Sequence, residues 1–195
     1  MDKKKYEYRA INITITEDAS EGYEVEGKAI CFNSETVLWV DRFGTEYKEI
    51  IAPGALDGVD LSDVPLKYNH SHEKASILAR VRDGSLKLEL KEDGLYFRAK
   101  LLTNLGEDVY KAIKAGDVSK CSFAFICDDE SYDENTNTRT VKHIQHLGDI
   151  SIVDEPAYDA TSVEARCDNM PDFVKKIEQE KEQEYRKRLI LLTQI

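Results

Sequence analysis

Alternating apolar and polar residues, the pattern of half-buried strands, recur along most of the chain before residue 168. Between Tyr8 and Thr16 this alternation places Ile11, Ile13 and Ile15 on one face. The fold is therefore predicted to be mainly β. Similar patterns, or short apolar runs between turn residues, predict further strands at 23–32, 46–51, 76–81, 85–90, 95–102, 118–127 and 140–153.

Two Asp-Gly pairs mark positions where these strands turn back. Asp83-Gly84 separates 76–81 from 85–90, and Asp93-Gly94 leads into 95–102. This dipeptide is a strong signal for a tight hairpin. Consecutive hairpins predict a sheet that rolls up or closes, because few other arrangements remove so many exposed strand edges. The acidic segment 128–138 is predicted to be a loop.

One helix is predicted inside this β-rich region. Asn104 is a candidate N-cap, and Gly116 ends the helix. Val109, Ala112 and Ile113 form an apolar stripe at helical spacing. We therefore expect this helix to pack on the sheet.

The last segment has a different character. Pro171 fits a first helical position, residues 178–184 are entirely polar, and residues 189–192 are apolar. A helix with apolar ends and a polar middle favours contact with another chain over burial in its own core. The prediction is a main domain over 1–168 and a helical C-terminal tail over 169–195, with a homodimer as the expected oligomer.

Composition excludes several classes of function. The chain has 195 residues and a formal net charge of −11, which repels phosphate backbones, so no nucleic-acid partner is expected. No apolar run reaches the roughly 20 residues of a membrane helix, and the basic start lacks the apolar stretch of a secretory signal. The four cysteines form no C-x-x-C pair and are expected to be free thiols.

The strand predicted at 118–127 holds a serine in an unusual setting. Its aromatic residues face the core and leave Ser122 and Ala124 on the other face, which is small and open. A serine on a strand is most often a surface hydroxyl, and no G-x-S-x-G elbow surrounds this one. To act as a nucleophile it needs a histidine base and a third group that orients the base.

Four histidines are available as bases: His70, His72, His143 and His146. His70 and His72 form a His-x-His pair, which on a strand places both imidazoles on one face. With Asp149 this pair would complete a zinc site. The spacing alone leaves open both a zinc hydrolase and a pair of ordinary polar loop residues.

Asp149 lies in a second segment with candidate chemistry. Ile150 and Ile152 share one face of the predicted strand, so Asp149 and Ser151 share the other. A carboxylate in this position can accept an imidazole N–H and fix the tautomer. A solvated acid is the commoner role of an aspartate, and the residues alone do not choose between the two.

Taken together, ordered segments of the chain resemble the prohead (capsid-maturation) protease family of tailed phages. Each motif alone is weak, whereas their order and spacing over roughly residues 8–166 are specific. The matching segments are Gly27-Lys28-Ala29 with Phe32, Glu49–Ala55, Asn69-His70 with Ala79-Arg80-Val81, Asp93–Phe97, Ser122–Phe125, and Leu147–Val153 followed by Pro156-Ala157-Tyr158.

This family resembles the herpesvirus assemblins. The resemblance therefore implies an α+β fold in which a small closed β-barrel is surrounded by helices. It implies that Ser122 is the nucleophile, His70 its base and Asp149 the third member of a triad, with no metal and no cofactor. Many relatives carry Glu where this chain has Asp149, and the assemblins use a second histidine. His146 is therefore the alternative third member.

The implied function is that of a serine endopeptidase inside the procapsid, in the cytoplasm of the host bacterium. Its expected partners are a scaffolding segment and the major capsid protein, which are its substrates, and it is expected to digest itself. A catalytically inert capsid assembly or scaffolding protein is the alternative. Arg80 and Arg166 are candidate donors to the oxyanion.

Overall fold

The computed structural model describes residues 6–12, 23–41, 43–154 and, nearer the C-terminus, 174–177, 179–180, 182–183 and 186–187. Most of the regular structure is β, with one α-helix and one 3-10 turn before residue 154, so the mainly β prediction is confirmed. In chain order the strands are β1 (Glu7–Asn12), β2 (Glu24–Cys31), β3 (Thr36–Val40), β4 (Glu46–Ile51), β5 (Pro65–Tyr68), β6 (Ile77–Arg80), β7 (Leu86–Lys91), β8 (Gly94–Lys100), β9 (Lys120–Asp133) and β10 (Thr138–Val153).

Strand β10 organises the larger, seven-stranded sheet. On one side it pairs antiparallel with β9, which in turn pairs with β1. On its other side it pairs in parallel first with β4, at 138–141, and then with β5, at 150–152. This side of the sheet therefore has two branches, which end at β3 and β6.

The expected closed barrel is not confirmed. Within the described residues neither the larger sheet nor the three-stranded sheet β2-β8-β7 closes on itself. The physical reason is the change of partner along β10, because the two branches end at separate edges and neither returns to β1.

The two Asp-Gly pairs have different outcomes. Asp93-Gly94 lies at the turn of the β7–β8 hairpin, and Gly94 is required there because a Cβ would lie 2.0 Å from the Ile30 carbonyl oxygen. At Asp83-Gly84 the chain also turns, but β6 pairs with β5 and β7 pairs with β8. The predicted hairpin is therefore wrong: the turn connects the two sheets. The Ser85 hydroxyl accepts the N–H of Arg80 at 2.9 Å, and this bond holds the turn.

The predicted helix is present as α1 (Asn104–Ala115). Its N-cap is Thr103 and not Asn104, because Thr103 is extended and its hydroxyl accepts the N–H of Gly106 at 3.0 Å. Gly116 ends the helix in the left-handed region, with φ of 86°. Val109 and Ile113 are buried in the main core, which draws on both sheets and α1.

The acidic segment predicted to be a loop is mostly strand. Residues 128–133 extend β9 and pair with the first half of β10. A group of buried charges lies at this end of the larger sheet; we call Arg9, Glu49 and Arg139, with Glu7 and Glu130 at its rim, the arginine cluster. It joins strands β1, β4, β9 and β10 through guanidinium–carboxylate contacts.

The C-terminal segment contacts the main domain at one described position. Val174 is fully buried against Trp39 and Tyr47 of the β3–β4 hairpin. At this residue the tail rests on its own domain. The boundary predicted at 168 and the apolar end at 189–192 lie outside the described residues. None of the described helices is long and apolar enough to span a membrane.

Candidate active site

His70, Ser122 and Asp149 lie in one chain of hydrogen bonds. His70 Nε2 is 2.7 Å from Ser122 Oγ, and His70 Nδ1 is 2.5 Å from Asp149 Oδ1. The serine is on β9 and the aspartate on β10, whereas the histidine follows β5. Three separate elements of the larger sheet therefore meet at this point.

A tight turn places His70. Asn69 and His70 both have positive φ, 52° and 49°, and Ser71 N–H donates to Tyr68 O at 3.1 Å. This is the pattern of a type I′ turn, in which Asn is favoured. Asn69 Oδ1 also accepts the N–H of Asp154 at 3.2 Å, so the turn is tied to the end of β10.

The His-x-His pair is thus not on a strand. Strand β5 ends at Tyr68, and His70 and His72 do not share a strand face as the zinc hypothesis required. Among the described residues no three His, Cys, Asp or Glu side chains lie close enough together to hold a metal ion. His72 instead lines a cavity of about 400 Å³ together with His146 and Lys67.

The register of β9 and β10 places Ser122 beside its partners. Ser122 lies opposite Ser151, and Ala124 opposite Asp149, so these four residues share one face. Sequence alternation correctly predicted that Ser122 lies on this face. The prediction that the face is open was wrong, because Ser122 is only 1% exposed. His70 contacts the serine, and the Tyr8 ring packs edge-on against His70 with centroids 4.6 Å apart.

Asp149 is an ionised hydrogen-bond acceptor. Burial by itself raises the pKa of this carboxyl, but the contacts with His70, Lys67 and Ser151 outweigh burial and lower the pKa below its usual value. An ionised carboxylate cannot donate, so His70 Nδ1 carries the hydrogen. Nε2 is then the acceptor for the Ser122 hydroxyl, which is the tautomer that a general base needs.

Two further residues hold the aspartate, and sequence reasoning gave neither a role. The Ser151 hydroxyl donates to Asp149 Oδ1 at 2.9 Å and accepts the backbone N–H of His70 at 3.1 Å. Lys67 Nζ donates to Asp149 Oδ2 at 3.1 Å. A lysine inside the largely apolar run 64–68 was the available signal for Lys67.

The other candidates from the sequence lie elsewhere. His146 is on β10, where its ring is 6.0 Å from the ring of Tyr6, and the contact to His70 Nδ1 is made by Asp149. Arg80 is paired with Asp63, with Nε 2.5 Å from Oδ1. Arg166 lies outside the described residues.

Comparison with known proteins places the chain in a family. A sequence model of the caudovirus prohead serine proteases matches residues 9–176, which is most of the chain. The chain belongs to this family. The family predicted from the ordered motifs is thereby confirmed.

A solved capsid assembly protease has a similar fold. The structure of the bacteriophage T4 capsid assembly protease, gp21, aligns with a TM-score of 0.51 at 13% sequence identity, over 76% of this chain and 97% of that one. At this identity the similarity concerns the fold alone. No curated protein sequence matches the chain. The relation to the herpesvirus assemblins stays a prediction.

Proposed function

We propose that this member of the prohead serine protease family is an active endopeptidase, with Ser122 as nucleophile, His70 as general base and Asp149 as the residue that orients the base. The observation that carries the proposal is the unbroken hydrogen-bond chain from the Asp149 carboxylate through His70 to the Ser122 hydroxyl. A decayed site in an inert assembly protein has no reason to keep this geometry.

In the first half of the reaction, Ser122 Oγ attacks the carbonyl carbon of the scissile peptide while His70 Nε2 takes the hydroxyl proton. The Asp149 carboxylate stabilises the imidazolium through the Nδ1 hydrogen bond. The imidazolium then gives its Nε2 proton to the leaving amine as the C–N bond breaks. The result is an acyl-enzyme on Ser122 and a neutral His70.

In the second half, His70 activates water. Nε2 takes a proton from the water molecule as its oxygen attacks the ester carbon. Collapse of this second tetrahedral intermediate expels Ser122 Oγ, which regains its proton from the imidazolium. The enzyme is then restored, and the new carboxyl end of the substrate leaves.

The proposed substrates follow from the family. A prohead protease acts on proteins gathered in the procapsid, so we infer cleavage of a scaffolding segment or of an extension of the major capsid protein, followed by self-cleavage. The proposed setting is the interior of the procapsid in the bacterial cytoplasm. The proposed protease domain spans 1–168, and the tail over 169–195 is proposed to contact a second copy.

Co-expression with the major capsid protein of the encoding phage tests the activity. Wild-type enzyme is expected to shorten its substrate, whereas Ser122→Ala leaves the substrate at full length. Ser131→Ala is the matched control, since it makes the same change at an exposed position farther along β9. Intact mass measurement of the products gives the cleavage sites.

Labelling with a fluorophosphonate probe separates the enzyme from an inert assembly protein. Wild type and Ser131→Ala are expected to bind the probe covalently at Ser122, and His70→Ala is expected to bind it slowly. A wild-type protein that assembles capsids but neither reacts with the probe nor cleaves its partners would contradict the proposal and favour the assembly role.

A further inference from the structure

Lys67 is a partly buried cation that contacts the oxygen of the Asp149 carboxylate that His70 does not use. Strand β5 places it opposite Ser151, which itself lies opposite Ser122, so the three residues form one row across three strands. Side chains that are directly opposite in a sheet share a face. Lys67 Nζ reaches Asp149 Oδ2 at 3.1 Å, and its side chain is only 16% exposed.

Together the three donors fix the plane of the carboxylate. His70 Nδ1 and the Ser151 hydroxyl share Oδ1, and Lys67 takes Oδ2. A carboxylate held at one oxygen can rotate about its Cβ–Cγ bond, whereas donors on both oxygens prevent that rotation. The position of Oδ1 beneath the imidazole therefore depends on the bond at Oδ2.

Charge gives a second reason for a lysine here. Burial favours the neutral acid, and a neutral acid can donate its own hydrogen to Nδ1, which favours the wrong tautomer of His70. A general base gains and loses a proton in each catalytic cycle, so His70 in that role supplies no permanent counter-charge. The Lys67 ammonium does, at the oxygen that His70 does not use.

We propose that Lys67 is a positioning residue of the active site, which holds the Asp149 carboxylate ionised and oriented so that Oδ1 meets His70 Nδ1. This inference rests on the proposed function, because Lys67 acts only through the Asp149–His70–Ser122 chain. A merely structural ion pair between β5 and β10 is the competing explanation, and it makes different predictions for kinetics.

The test measures the rate of fluorophosphonate labelling of Ser122 against pH in the full-length protein. Lys67→Met is expected to slow labelling at neutral pH by about 10- to 100-fold, the scale of a misplaced catalytic group. The acidic limb of the profile is expected to move to higher pH, because Asp149 without its cation takes up a proton more readily. Lys67→Arg keeps the charge and is expected to restore most of the rate.

Two comparisons keep the test decisive. Lys74→Met removes a lysine that lines the same cavity without a contact to Asp149, and it is expected to behave as wild type. In the Asp149→Asn background, Lys67→Met is expected to have no further effect on labelling, because the group it positions has lost its role. Thermal unfolding of each variant reports its stability separately.

Several outcomes overturn the inference. If Lys67→Met is labelled at the wild-type rate with the wild-type pH profile, the ion pair is structural. The same conclusion follows if the loss of labelling rate in Lys67→Met adds fully to the loss in Asp149→Asn. If Lys67→Met does not fold, the decision passes to Lys67→Arg and Lys67→Gln, and equal rates in these two would contradict a role for the charge. A wild type that is not labelled at any pH refutes the proposed function itself, which is a different result.

Discussion

Two groups of buried charged side chains lie along β10, one toward each end. Near Thr138 the arginine cluster places two guanidinium groups on Glu49, with Arg9 Nη2 at 2.6 Å and Arg139 Nη1 at 2.8 Å from Oε2. Near Val153 the Asp149 carboxylate contacts an imidazole, a hydroxyl and an ammonium group. The centre of each group is buried, and both groups join several strands of the larger sheet.

The difference between them is whether a proton can move. A guanidinium does not lose its proton in a protein, so the two arginines of the arginine cluster pass no proton between partners, and the cluster serves to hold strands together. The His70 imidazole can both accept and release a proton, and it connects the Asp149 carboxylate to the Ser122 hydroxyl. Buried charge alone therefore does not mark an active site; a titratable group between two partners does.

The largest expected effect separates the two groups by activity. Asp149→Asn keeps the size of the side chain but offers His70 an amide, which favours the wrong tautomer, so turnover is expected to fall by about 10⁴-fold. The measurement is the rate of capsid-protein cleavage by purified protein. Asp129→Asn, at an exposed position on β9, is the matched control and is expected to retain activity. Near-normal turnover in Asp149→Asn would contradict a catalytic role for Asp149, and the two groups of charges along β10 would then not differ in function.

The next prediction separates them by stability. Glu49→Gln leaves two buried guanidinium groups without their shared carboxylate, and the free energy of unfolding is expected to fall by about 3–5 kcal/mol. Urea denaturation measures this change, and the protein that remains folded is expected to cleave at the wild-type rate. The exposed Glu46→Gln on the same strand is the control. A Glu49→Gln protein of normal stability would show that the cluster does not hold the sheet.

Acid sharpens the comparison further. Burial raises the pKa of Glu7, but its contacts with Arg139 and Arg9 outweigh burial and lower the pKa below the usual value. Stability from such a group is present above the unfolded pKa of about 4.3 and is lost as the pH falls through the lowered value. We expect the free energy of unfolding of Glu7→Gln to fall less steeply than that of wild type as the pH is lowered from about 6 to about 3, a range that includes the unfolded pKa. Glu92→Gln, at an exposed turn, is the control and is expected to lose stability as steeply as wild type. If Glu7→Gln loses stability equally steeply, the acid sensitivity arises from other groups.

The smallest expected effect lies within the arginine cluster itself. Glu130 contacts Arg139 but its side chain is 47% exposed, so solvent screens the pair. Glu130→Gln is expected to cost less than about 1 kcal/mol of unfolding free energy. Urea denaturation beside Glu49→Gln gives the contrast between the rim and the buried centre. Equal losses in the two variants would contradict the importance of burial.

Sequence patterns located the strand faces and the candidate triad better than the connections between strands. Alternation put Ser122 and Asp149 on the faces they occupy, because side-chain direction depends only on local geometry. The Asp83-Gly84 turn was predicted too, but the sheets that its strands join depend on distant partners. The arginine cluster could not be read from the sequence for the same reason, since Arg9, Glu49 and Arg139 meet only after four strands are assembled. Family motifs, and not local physics, selected His70 from four histidines.

The double pairing of β10 has a consequence for when activity arises. This strand brings Asp149 to the site and also provides the edge on which β5, and with it the turn that carries His70, is aligned. Contacts between residues so far apart in the chain form late in folding, because the loops between them must close first. A chain still emerging from the ribosome without β10 has its serine and histidine but no assembled proton path. The proposed protease therefore cannot assemble its catalytic triad until all of β10 has been synthesised and paired.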